Sequence, residues 1–111
     1  MSVFNLNISD EADTLLNQRY MLMKKEQEKI ARGDVLALLI THGLKASEGL
    51  PPSAKLREFP GSGPRVKSFP KKKHKVVLDR LTEFAAAKNF RERSYAARYC
   101  LYVALGLSAD E

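Results

Sequence analysis

Cysteine is nearly absent from this chain of 111 residues, which contains a single one, Cys100. No disulfide can therefore form within the chain, and a lone thiol among apolar neighbours is typical of a small core side chain. The chain also has no apolar run near the ~18–20 residues that span a bilayer, and its start lacks the pattern of a signal peptide. These features predict a cytoplasmic protein that makes no contact with a membrane.

Motifs for catalysis and for metal or cofactor binding are missing as well. His42 and His74 stand apart from any Cys, Asp or Glu at the spacing of metal ligands, so we expect no metal site. The segment Gly61-Ser62-Gly63 is flanked by prolines and does not join a strand to a helix, which excludes a phosphate loop or a dinucleotide fingerprint. No nucleophile has a recognisable local context. We expect neither an enzyme nor a bound cofactor.

Positive charge is concentrated in the middle of the chain. The formal charge of +6 divides into −1 for residues 1–50, +6 for residues 51–74 and +1 for residues 75–111. Four of the five prolines lie between residues 51 and 64, which excludes a helix or a central strand there. We interpret residues 50–64 as a basic linker between a first unit, 1–49, and a second unit, 65–111. A solvated linker and a segment that contacts a polyanion such as nucleic acid both agree with this composition.

The first unit begins with a clear strand pattern. Apolar and polar side chains alternate strictly over residues 3–9, which predicts a strand with one buried face. Ser9 or Asp10 then provides the N-cap of an amphipathic helix with acidic residues in its first turn.

A second apolar stretch, residues 35–44, predicts another helix in the first unit. We place the corner between the two helices at Gly33, and Gly43 with Gly49 marks the end of the second one. One unbroken helix over residues 10–44 is the alternative.

The last third of the chain repeats this order of elements. Residues 65–69 form an extended candidate that stops at a proline, residues 73–90 have helical spacing, and Arg93-Ser94 caps a further apolar and aromatic stretch. A shift of 63 residues aligns Gly43-Leu44 with Gly106-Leu107. The chain is therefore interpreted as two copies of strand, helix, helix.

This pattern resembles the ribbon-helix-helix family of DNA-binding proteins. The likeness is carried by residues 4–11, Leu15-Leu16, residues 32–36 and Gly43-Leu44. Two units in one chain look like the single-chain double units found among plasmid-transfer accessory proteins. The resemblance implies an α+β, mostly helical fold in which two tandem units share a two-stranded antiparallel ribbon. Whether that ribbon forms within one chain or between two chains stays open.

The resemblance also implies sequence-specific binding of double-stranded DNA by a ribbon in the major groove. Such a protein is a transcriptional repressor or a DNA-processing accessory factor of a plasmid, phage or similar element. The side chains expected to contact bases are Asn5, Asn7, Arg65 and Lys67. The residues expected to hold phosphates are Arg32, Gly33, Arg93, Ser94, Lys71, Lys72 and Lys73. The two asparagines can equally be the solvated side of an edge strand, and the three lysines a solubilising run.

A second reading belongs to a different class of protein. In it the chain is a small helical adaptor or oligomerisation module with no nucleic-acid role, and Tyr99, Tyr102 and Leu105 form an exposed patch that binds a partner. In a third, only residues 1–45 bind DNA, as a pair of chains, and residues 65–111 serve oligomerisation or a partner. Self-association, or a protein partner on a DNA-bound complex, therefore stays open, as do the target sequence and any effector.

Overall fold

The computed structural model describes residues 2–48, 63–90 and 92–107 of the chain. Its elements follow in the order β1 (Val3–Ile8), α1 (Asp10–Glu26), α2 (Arg32–Glu48), β2 (Arg65–Pro70), α3 (Lys75–Ala87) and α4 (Arg93–Leu105). The fold is α+β and mostly helical, which confirms the expected class. Most of the predicted linker, residues 50–62, lies outside the described residues.

The two strands pair with each other in an antiparallel sheet, so the ribbon forms within one chain. Phe4 lies opposite Phe69, and Leu6 and Ile8 lie opposite Lys67 and Arg65. Because directly opposed residues point to the same side of a sheet, these three pairs share one face, which we call the inner face. Phe4, Leu6, Ile8 and Phe69 are buried there beneath the helices.

Helix α1 begins where the sequence predicts it. The Ser9 hydroxyl accepts a hydrogen bond from the backbone N–H of Ala12 at 3.2 Å, which identifies Ser9 as the N-cap. The helix ends at Glu26 and α2 starts at Arg32, which excludes the single long helix. The predicted corner at Gly33 is wrong by a few residues, because this glycine lies in the first turn of α2.

Gly43 does not end α2, which continues through it to Glu48. A Cβ atom on Gly43 would overlap the backbone carbonyl of Cys100 in α4, so this glycine lets the two helices pack backbone to backbone. Gly106, its aligned counterpart, has a left-handed φ of 78° and ends α4. The same Gly-Leu pair therefore has two roles, a helix crossing in the first unit and a helix end in the second.

Both units contribute to one hydrophobic core. The backbone N–H of Ser9 donates to the hydroxyl of Tyr102 at 3.0 Å and joins the start of the chain to its last helix. Cys100 is fully buried beside the crossing, and this burial raises the pKa of its thiol to about 12. The thiol is therefore a protonated core side chain at neutral pH, in agreement with the sequence interpretation.

The exposed patch of the adaptor reading is not at the surface. Tyr99, Tyr102 and Leu105 are only 9%, 1% and 9% exposed, because α4 packs against α2 and α3 and turns these side chains into the core. Tyr99 also stacks on Phe84 of α3, with ring centroids 6.2 Å apart. The prediction that these three side chains form an exposed patch is therefore wrong, since they belong to the core.

Candidate nucleic-acid interface

The solvent side of the ribbon carries short, mostly uncharged side chains. On β1 it presents Val3, Asn5 and Asn7, all exposed. The register places Pro70, Ser68 and Val66 of β2 opposite them, and Val66 is 60% exposed. We call these six residues the outer face. It meets the expectation that Asn5 and Asn7 point away from the core.

Arg65 and Lys67 do not lie on the outer face, which corrects their predicted place beside the asparagines. Phe69 is buried and sets the phase of β2, so the residues two and four positions earlier must point to the same inner side. The Arg65 Nε atom donates to Asp10 Oδ1 at 2.8 Å, and the Lys67 ammonium pairs with the Asp13 carboxylate. The hydrogen bond and charge of Asp10 raise the pKa of the Arg65 guanidinium.

Val66 and Ser68 take the places that the sequence analysis gave to the two cations. They were missed because residues 65–69 have an apolar side chain on each face, Val66 on one and Phe69 on the other, so the pattern leaves open which face is buried. The signal that could have found them is Phe69, since an aromatic residue two positions after Lys67 favours the inner side for the whole set.

The start of α2 lies directly beside β2. A Cβ atom at Gly33 would be 3.0 Å from the carbonyl oxygen of Ser68, so the helix backbone approaches the strand closely. The first turn of a helix has free backbone N–H groups and a positive dipole end, both of which favour anions. Gly33 therefore lies beside β2, at the edge of the ribbon.

Asp34 lies in the same helical turn, and its carboxylate contacts the side chains of Lys73 and His74. Its Oδ1 atom is 2.9 Å from Lys73 Nζ and 3.0 Å from His74 Nε2, and its Oδ2 atom accepts from the backbone N–H of Ala31 at 3.2 Å. The hydrogen bond from Lys73 is the main cause that lowers the pKa of this carboxyl group, against an opposing effect of burial. The carboxylate is thus compensated locally by the segment that leads into α3.

Arg32 and Arg93 hold corresponding positions, each as the first residue of the second helix in its unit. The Arg32 guanidinium bonds the Asn17 side chain and lies 4.5 Å from the ring centroid of Tyr20, both on α1. The Arg93 guanidinium lies 3.4 Å from the Thr82 hydroxyl on α3 and 5.6 Å from the Phe4 ring centroid. Each arginine is therefore positioned by the preceding helix of its own unit.

The remaining predicted phosphate contacts lie at both sides of the ribbon. Ser94 is half-buried in the first turn of α4, beside Arg93. Lys71 and Lys72 follow the end of β2, where the backbone N–H of Lys71 donates to the Ser2 carbonyl at 3.3 Å. Lys72 is exposed, and Lys73 is paired with Asp34 as described. The structure therefore brings these positions to the ends and edges of the ribbon.

Metal clusters and membrane-spanning helices were sought in the part of the chain that the structure describes. Its residues include no group of three or more His, Cys, Asp or Glu side chains that could hold a metal ion. None of its helices combines the length and apolar character that crossing a membrane requires. No family model, curated protein or solved structure matches the chain.

Proposed function

We propose that the protein binds double-stranded DNA sequence-specifically, as a single-chain double ribbon-helix-helix unit whose outer face enters the major groove. The observation that carries this proposal is a two-stranded antiparallel ribbon with a buried inner face and exposed amides on the other side. A two-stranded ribbon fits a major groove about 12 Å wide, and its outward side chains then face the base edges.

The chemistry of the outer face agrees with readout of bases. An asparagine amide can bond bidentately to N6 and N7 of adenine, and a serine hydroxyl accepts from or donates to several bases. Asn5 and Ser68 lie opposite each other at the middle of the ribbon, with Asn7 further along β1. Val3 and Val66 offer apolar contacts that suit the thymine methyl group. The base-reading set becomes Asn5, Asn7 and Ser68, and it no longer includes Arg65 and Lys67.

Phosphate binding falls to the helix starts and the lysines that flank the ribbon. Gly33 approaches β2, and Arg93 of α4 lies over Phe4 of β1, so one helix start accompanies each strand. Backbone N–H groups there would hold the two DNA strands on either side of the groove. Lys71 and Lys72 add positive charge at the end of β2. With this arrangement the protein acts as a transcriptional repressor or as an accessory factor of a DNA-processing complex, on a plasmid, phage or similar element.

Selection of bound sequences from a random duplex pool, followed by fluorescence anisotropy, tests this function. We expect one enriched motif that contains adenines. The double variant Asn5→Ala/Asn7→Ala should bind that motif at least about 30-fold more weakly, because it loses two bidentate amide contacts of about 1–3 kcal/mol each, and should keep its affinity for unrelated duplexes.

The matched control is Gln18→Ala/Gln27→Ala, which removes two exposed amides away from the ribbon. It should bind like the original protein. The function is refuted if no sequence is enriched and no duplex is bound at low salt, or if the ribbon variant binds the motif unchanged.

A further inference from the structure

The two ends of the outer face are chemically different. At one end, which we call the apolar end, Val3 lies opposite Pro70. At the other, which we call the amide end, Asn7 lies opposite Val66, with Asn5 and Ser68 between the two ends. Neither valine nor proline has a side chain that donates or accepts a hydrogen bond. Only one end of the ribbon can therefore form hydrogen bonds to bases through its side chains.

The chemical difference between the two ends of the outer face is caused by one pair of corresponding positions, 7 and 70. The shift of 63 residues that aligns the two Gly-Leu pairs also aligns Val3 with Val66, Asn5 with Ser68 and Asn7 with Pro70. Under this shift the middle pair corresponds to itself and the two ends exchange. Both ends thus have one valine, and they differ because one has Asn7 where the other has Pro70.

We propose that the duplex site is asymmetric, with an adenine-specific half at the amide end and a half at the apolar end that is read without hydrogen bonds. This inference rests on the proposed function and specifies the DNA that it takes. Asn7 selects an adenine in its half. In the other half Val3 and Pro70 touch only apolar parts of the bases, where the thymine methyl group is the single distinctive feature. An asymmetric protein selects an asymmetric DNA site, because the symmetry of the two half-sites follows the symmetry of the protein that binds them.

The test compares the motifs selected by the original protein and by two variants, Pro70→Asn and Asn7→Ala. The original protein should enrich a non-palindromic motif with one informative half. Pro70→Asn supplies the missing amide, so it should add an adenine preference in the other half and make the motif nearly palindromic. Asn7→Ala should remove the preference in the informative half. Circular dichroism checks that each variant folds, and Asn7→Ala, at an exposed position, keeps the test available if Pro70→Asn does not fold.

Fluorescence anisotropy with individual duplexes measures how much each base-pair replacement weakens binding. Replacing the A·T pair of the informative half by G·C should weaken binding of the original protein roughly tenfold to 100-fold and leave Asn7→Ala unaffected. The equivalent change in the other half removes only the contact with the thymine methyl group, so it should weaken binding of the original protein by less than the change in the informative half does. It should weaken binding of Pro70→Asn more strongly, because that variant also loses an amide contact. Titration at protein concentrations well above Kd establishes that one chain binds per site.

The outcomes separate this inference from the function on which it rests. A palindromic motif bound by one original chain, or equal losses in both halves, overturns the asymmetry and leaves DNA binding intact. A chain that binds no duplex and enriches no sequence overturns both. A motif whose informative half persists in Asn7→Ala shows that Asn7 is not the reader and overturns the assignment of the amide end.

Discussion

Gly43 has only a hydrogen atom in place of a side chain, and this allows α2 and α4 to pack closely. It lies inside α2, where glycine normally costs stability, and its only benefit is the space that the carbonyl of Cys100 occupies. The crossing of α2 and α4 is the place where the two units meet most closely. Fold and packing therefore depend on the absence of a Cβ atom at this position.

We expect Gly43→Ala to lower the free energy of unfolding by about 1–2 kcal/mol, because a steric overlap that costs up to about 3 kcal/mol outweighs the gain in helix propensity of about 1 kcal/mol. Urea denaturation followed by circular dichroism measures this change. The neighbouring exposed residue provides the control, since His42→Ala should shift stability by less than about 0.5 kcal/mol. A Gly43→Ala variant as stable as the original chain would contradict the close approach of α2 and α4 at this position.

Asp34 makes stability depend on pH. Lys73 and His74 hold the pKa of this carboxyl group below its ordinary value of 3.8, so the unfolded chain binds the proton more tightly than the folded chain. The stabilisation is thus fully present above pH 3.8 and is lost as the pH falls through the lowered folded pKa. Below pH 3.8 the unfolding free energy of the original chain should fall more steeply than that of Asp34→Asn. Unfolding free energies of the original chain and of Asp34→Asn that fall in parallel below pH 3.8 would contradict the lowered pKa of this carboxyl group.

At the scale of elements, the orientation of β2 depends on ion pairs with α1 as well as on the burial of its own apolar side chain. Lys67 and Asp13 are 25% and 15% exposed, whereas Arg65 and Asp10 are 59% and 69% exposed. A partly buried ion pair leaves an uncompensated charge when one partner is removed. The more buried pair therefore contributes more to holding β2 with Phe69 inward.

A double-mutant cycle with Lys67→Met and Asp13→Asn should give a coupling energy on the order of 1 kcal/mol in unfolding experiments. The corresponding cycle with Arg65→Met and Asp10→Asn is the matched control and should give a smaller coupling, because solvent screens that pair. Equal couplings in the two cycles would argue against a role of Lys67 in fixing the strand.

The elements also show which features of the fold can be predicted from the sequence and which cannot. The strict alternation in β1 and the Ser9 cap are local signals, and both predictions are confirmed. The face of β2 and the role of Gly43 are not local. One depends on Phe69 packing beside Gly33 of α2, and the other on a helix more than fifty residues away along the sequence. A sequence pattern gives periodicity, but the neighbour that occupies each face is set by tertiary packing.

For the whole molecule, the placement of charge determines how binding should respond to salt. If six to eight phosphates are neutralised, log affinity should fall with log salt concentration at a slope of about −5 to −7. Lys71→Ala/Lys72→Ala should reduce the size of this slope by about two and weaken binding to all duplexes alike. Lys24→Ala/Lys25→Ala, at the far end of α1, is the charge-matched control with an unchanged slope. A slope near zero for the original protein would refute the electrostatic part of the proposal.

The pairing of β1 with β2 inside one chain has a consequence for how the proposed DNA recognition can change. In a protein made of two identical chains, every substitution in the strand occurs twice and alters both halves of the target together. Here each outer-face position is encoded once, so Asn7 or Pro70 can be replaced while the opposite end keeps its preference. Under the proposed function, the DNA site can therefore change one half at a time, and neither half has to remain the inverted repeat of the other.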